Sequence, residues 1–156
     1  MKLLSSLTGG LAGAIAVTLL HEIIKKYDPE APRMDQMAMS AISTGFKKAD
    51  QPVPDKKELY KYSLVGDLIS NTMLFSLAGG KGGVKKALSK GLILGLTGGF
   101  SAVFAPKPLG LKAEATNKTH KTQVMSVAYY LVGGLVAGAV AKMVEKKSTA
   151  ERIQLH

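Results

Sequence analysis

The sequence predicts an all-α membrane protein of four transmembrane helices, an up-down bundle with glycine-rich packing faces and one short amphipathic helix at the interface. Three observations lead there. Mean hydropathy is positive in a 156-residue chain that is 46% hydrophobic. The apolar residues gather in four segments close to the ~20 residues that a helix needs to cross a bilayer. Most basic residues flank those segments rather than interrupting them, and 17 glycines recur within and between them. A net charge of +10 in a soluble domain would suggest nucleic acid; beside apolar segments it points to anionic lipid headgroups, and no nucleic-acid partner is expected. Cysteine is absent, which excludes disulfides and thiolate metal sites, and the absence of tryptophan leaves tyrosine for any aromatic belt.

The chain, 1–156, reads as a single membrane domain. Its first span covers about residues 3–24, where Gly10, Ala14, Val17 and His21 share a helical face with Gly13 beside them. A cleavable leader ending near Ala14-Ile15-Ala16 is the rival reading, but the apolar run continues to Ile24. A long polar loop, 25–61, follows. Prolines at 29, 32, 52 and 54 bound it, and between them Met34, Met37, Ala38, Ala41, Ile42 and Phe46 recur at helical spacing. An amphipathic helix over about 33–48 results, started by Pro32 and Asp35. Arg33 there is placed either to hold lipid phosphate or to pair with Asp28 or Asp35.

The second span, 63–80, carries one acid, Asp67, and one amide, Asn71, a helical turn apart. A membrane-buried Asp costs roughly 2.5 to 3.5 kcal/mol at mid-span, so such residues face protein or water. In an antiparallel bundle Asp67 and His21 lie at similar depth, where they can pair; with Ser70 and Asn71 they form a candidate polar intramembrane site. The hairpin GGKGGVKK resembles a phosphate loop only superficially, because Lys85-Lys86 is followed by Ala87 and no strand precedes it. Lys81, Lys85 and Lys86, with Arg33, are candidate headgroup contacts.

The third span, 87–106, places Gly91, Gly95 and Gly99 on one face, and the fourth, 124–144, repeats the device with Gly134 and Gly138. Small residues at such intervals let helix backbones approach closely, which supplies association energy in lipid. LTGGLAGAIA and LTGGFSAVFA share a pattern, which chance produces easily in segments this rich in glycine and alanine. Asn117-Lys118-Thr119 fits a glycan acceptor but reads more simply as a polar loop.

No catalytic motif is present. His21-Glu22 lacks the second histidine of a zincin, and no nucleophile and base stand at a working spacing. A non-enzyme without cofactor or metal is expected: a structural, accessory or oligomeric interaction module of a membrane complex, located in a bacterial inner membrane, with a second copy or other membrane subunits as partners. The alternative is a small proton, ion or solute transporter with a polar path through Asp67, Asn71 and His21. Basic residues fall only slightly more often in the long loops than on the opposite side, so orientation is not fixed.

Overall fold

The computed structural model describes residues 2–154, which are helical wherever they are regular. The elements are α1 (Lys2–Ile24), α2 (Met34–Lys48), α3 (Lys56–Ser76), α4 (Val84–Phe104), α5 (Glu114–Asn117) and α6 (His120–Gln154). Three of them, α1, α4 and α6 over His120–Ala150, are long and apolar enough to cross a membrane. The chain is thereby compatible with an integral membrane protein.

The second expected span differs in its bounds. Asp55 accepts the Glu58 backbone N–H at 2.8 Å and starts α3 at Lys56, seven residues before Ser63. Lys56, Lys57, Glu58 and Lys61 then occupy helix that was expected to be loop. At the other end α3 stops at Ser76, and residues 77–83 form a hairpin in which Gly80 and Gly82 take φ of 91° and 117°, backbone that a side chain disfavours. From Ser63 to Ser76 the apolar helix is only about 21 Å long at 1.5 Å per residue. The fourth expected span also continues: α6 runs on through what reads as a charged tail.

Side by side the long helices stand in the order α4, α6, α1, α3, with the outer pair α3 and α4 scarcely touching. α2 lies against α3, and α5 tucks between α2, α4 and α6. Backbones approach where side chains are missing. A Cβ on Gly95 would lie 2.6 Å from the Tyr130 carbonyl oxygen, one on Gly99 2.7 Å from Val127 Cα, and one on Gly138 2.6 Å from the Ala87 carbonyl oxygen; Gly91 and Gly134 face one another's carbonyls. Across α1, Gly10 meets α3 at Thr72 and Ser76, while Gly13 meets Gly133 and Phe75.

Large apolar side chains instead cover the outside. Leu3, Leu7, Leu11, Ile15, Leu19 and Ile23 of α1, Val65, Ile69, Met73 and Leu77 at the edge of α3, and Ile93, Phe100 and Phe104 of α4 are all exposed, whereas the interior holds Ala14, Val17, Phe75, Ala78, Val103 and Ala137. A water-soluble bundle distributes these classes the other way.

Candidate functional site

The chemistry collects at the long-loop end, where α1 finishes, α2 and α3 begin and the α4–α6 connection crosses. His21 is 4% exposed and its Nε2 accepts the Met34 backbone N–H at 3.1 Å. The imidazole also hydrogen-bonds to the Pro32 backbone. With Nε2 accepting, the ring is the neutral tautomer that donates from Nδ1. α2 has no side-chain cap of its own, Arg33 occupying that position, so a side chain from α1 satisfies its first free N–H.

Asp35 stands beside this ring, Oδ1 3.7 Å from Nε2, and is 4% exposed. Arg33 grips it with both ends of the guanidinium, Nε to Oδ1 at 3.1 Å and a terminal nitrogen to Oδ2 at 3.0 Å, and Lys25 Nζ lies 3.6 Å from Oδ2. Burial works against the charge on Asp35, but the Arg33 hydrogen bonds and the Lys25 charge outweigh it and hold the carboxyl below the usual carboxylate range. Lys25 extends the network to Glu22 at 2.5 Å, and the Tyr60 hydroxyl donates to Glu22 at 2.9 Å. Burial and the bond to Glu22 push the Tyr60 phenol up, and Lys25, desolvated but held by Glu22 and Asp35, is likewise raised.

Polar links from the α4–α6 connection seal the same end. Thr116 Oγ1 donates to the Ala102 carbonyl at 2.6 Å and Asn117 Nδ2 to the Val103 carbonyl at 3.1 Å, which satisfies two of the last carbonyls of α4. The Asn117 amide is thus engaged in the fold, which argues against the glycan reading. Thr122 Oγ1 donates to the Glu30 carbonyl at 2.8 Å, and the Arg33 N–H to the Ala115 carbonyl at 2.6 Å.

The four residues expected as one polar site divide into two places. His21 serves Met34 and Asp35 rather than Asp67. Asp67 is half-buried about a turn deeper, within electrostatic range of Asp35 and Tyr130, and no described residue donates a hydrogen bond to its carboxylate. Asn71, 6% exposed, engages the Tyr130 hydroxyl, while Ser70 is exposed and turns back to the Asp67 backbone carbonyl. Asn71, Ser70 and Tyr130 border a cleft of about 370 Å³ between α3 and α4, with Thr97, Gly98 and Ser101 opposite and Met37 and Leu111 at one end. The physical reason for the division is the non-local cap: the N–H of Met34 occupies His21 Nε2, with Asp35 beside the ring.

Among the expected headgroup residues, Arg33 pairs with Asp35, and Lys81, Lys85 and Lys86 are exposed around the opposite hairpin. That hairpin is held by two other lysines, Lys90 to the Gly79 carbonyl at 3.3 Å and Lys142 to the Gly80 carbonyl at 2.6 Å. The Arg33–Asp35 pair is one of the two pairings that the sequence offers, whereas Lys25, Tyr60, Tyr130 and Lys142 are not among the candidate residues. Lys25 is accessible from spacing, since it directly follows α1 and lies one turn beyond His21, whose carbonyl its N–H still reaches at 3.1 Å. No group of three or more His, Asp or Glu suited to a metal occurs among the described residues. Compared with known protein families, curated proteins and solved structures, the chain matches none of them.

Proposed function

We propose that this protein is a small multi-pass integral membrane protein that acts as an interaction module, offering the α3–α4 cleft to a transmembrane helix of a second copy or of another membrane subunit. The observation that carries the reading is the open edge: two outer helices scarcely touch, and between them lies a groove edged by Ser70, Asn71, Thr97, Gly98 and Ser101, with Asp67 one turn before Asn71 on α3 and accepting no hydrogen bond from a described residue. Small and hydroxyl-bearing residues of this kind let another helix come close and bond across.

In this reading α3 is the fourth span of an up-down four-helix bundle, and the glycine contacts of α1, α4 and α6 work as a glycine zipper. The i, i+4 row Val65, Ile69, Met73 and Leu77, all exposed, supports a lipid-facing α3. Its short apolar length is met by Tyr60, Tyr62 and the lysines of its first turns reaching the interface. Helical spans rather than a barrel are in keeping with a bacterial inner membrane.

A transport path is the second reading, favoured by Asp67, Asn71 and Tyr130 lying together beside the cleft. Against it, the next turn of α3 is closed by Phe75, 0% exposed and packed against Tyr130. A photo-crosslinking residue at Ser70 separates the two. The module reading expects a discrete polypeptide adduct in native membranes, weakened by Asp67→Asn. Lipid adducts alone, together with proton or ion flux in reconstituted vesicles that Asp67→Asn abolishes, would replace it with the transport reading.

A further inference from the structure

We propose that the basin between α2 and the first turns of α3 binds a phosphate-bearing anion at the membrane rim. The basin encloses about 640 Å³ and is lined by Lys25, Arg33, Lys56 and Lys112, with Asp35 the only acid in its wall. The charges do not cancel. Glu22 and Asp35 are committed to Lys25 and Arg33 through the contacts described above, whereas Lys112 Nζ bonds the neutral Gln36 amide at 2.8 Å and Lys56 stands exposed. Two positive charges, those of Lys56 and Lys112, therefore remain beside the two that Glu22 and Asp35 offset.

The donors suit a tetrahedral anion. Arg33 spends two N–H groups on Asp35 and its side chain is 45% exposed, so three of its five donors remain for a ligand. A phosphate there meets a guanidinium and mobile ammonium groups, while Asp35, already doubly held, repels it little. Met39 and Leu59 add an apolar strip to the same wall, and Lys25 directly follows the last residue of α1, which places the basin where headgroups lie. The shared chemistry is a phosphate ester; a lipid headgroup and a soluble phosphate are its two sources. Only the choice of source rests on the membrane reading, so failure of that reading leaves the anion site testable.

The test uses the full chain in detergent micelles, exposed to equal amounts of phosphatidylglycerol and phosphatidylcholine and read by native mass spectrometry. A parallel titration uses inorganic phosphate. Preferential retention of phosphatidylglycerol, lowered about tenfold or more in the double variant Lys56→Gln/Lys112→Gln, is the result expected for a lipid. Saturable binding of inorganic phosphate with the same loss assigns a soluble source. Both lysines are exposed, and a helical spectrum matching the parent checks the fold. Equal retention of the two lipids with no phosphate binding overturns the proposal. So does an equal loss in the control variant Lys81→Gln/Lys85→Gln at the opposite end, since that would mean diffuse charge rather than a site.

Discussion

The Nε2 atom of His21 accepts the backbone N–H of Met34 at 3.1 Å, so the last turn of α1 forms the N-cap of α2. This one bond ties the amphipathic helix to the bundle and places Asp35 and Arg33 over the ends of α1 and α3. Replacing a cap by alanine costs about 0.5 to 2 kcal/mol, and leaving a buried N–H unmet costs a similar amount. His21→Ala should therefore loosen α2 first. Hydrogen exchange should show faster exchange at Met34 and through 34–38, with α4 and α6 unchanged.

The α4–α6 seam makes a second prediction by contrast between glycines. Gly91→Ala puts a methyl group into the Gly134 carbonyl, backbone that has nowhere to go, and should destabilise by about 1 to 3 kcal/mol or more. Gly66, inside α3, has nothing within 4 Å of its Cβ direction. Gly66→Ala should stabilise by about 0.5 to 1 kcal/mol through helix propensity alone. Thermal melting in detergent reads both, and equal effects would mean that the seam is looser than described.

Acid sensitivity follows from Asp35. Its carboxyl is held below the ordinary value of 3.8, so the stabilisation from its ion pairs is complete above that value and disappears as pH falls through the depressed native one. The melting temperature should drop in that window. Asp35→Asn should flatten the dependence while lowering stability at neutral pH by about 1 to 3 kcal/mol, a range reduced for the partial exposure of Arg33.

The start of α3 makes a fourth prediction. Asp55→Ala removes the side chain that accepts the Glu58 N–H and should cost about 1 kcal/mol, fraying residues 56–59 without disturbing 63–76. Proteolysis between Lys56 and Lys61 reports it.

Much of this arrangement was open to the sequence because it rests on local pattern. The apolar face of α1 that runs Gly10, Ala14, Val17 and His21 is buried, and the methionine-bearing segment is a helix over Met34–Lys48. Where reading failed, the deciding contact was distant in sequence. The partner of His21 comes from 13 residues away through a loop whose path no periodicity encodes, and Thr116 and Asn117 cap α4 from within a segment that reads as linker. The early start of α3 is a different failure: Asp55-Lys56-Lys57-Glu58 is a capping signature that was legible, but charge density beside prolines pointed to loop.

Everything proposed about the cleft requires α3 to cross the bilayer, and the absence of native cysteine makes that directly measurable. Single cysteines at Gln51, Lys81 and Leu109 would be labelled with an impermeant maleimide in sealed membrane vesicles. The four-span account predicts that Gln51→Cys and Leu109→Cys react from one side and Lys81→Cys only from the other. Labelling of Lys81→Cys from the same side as Gln51→Cys would contradict it.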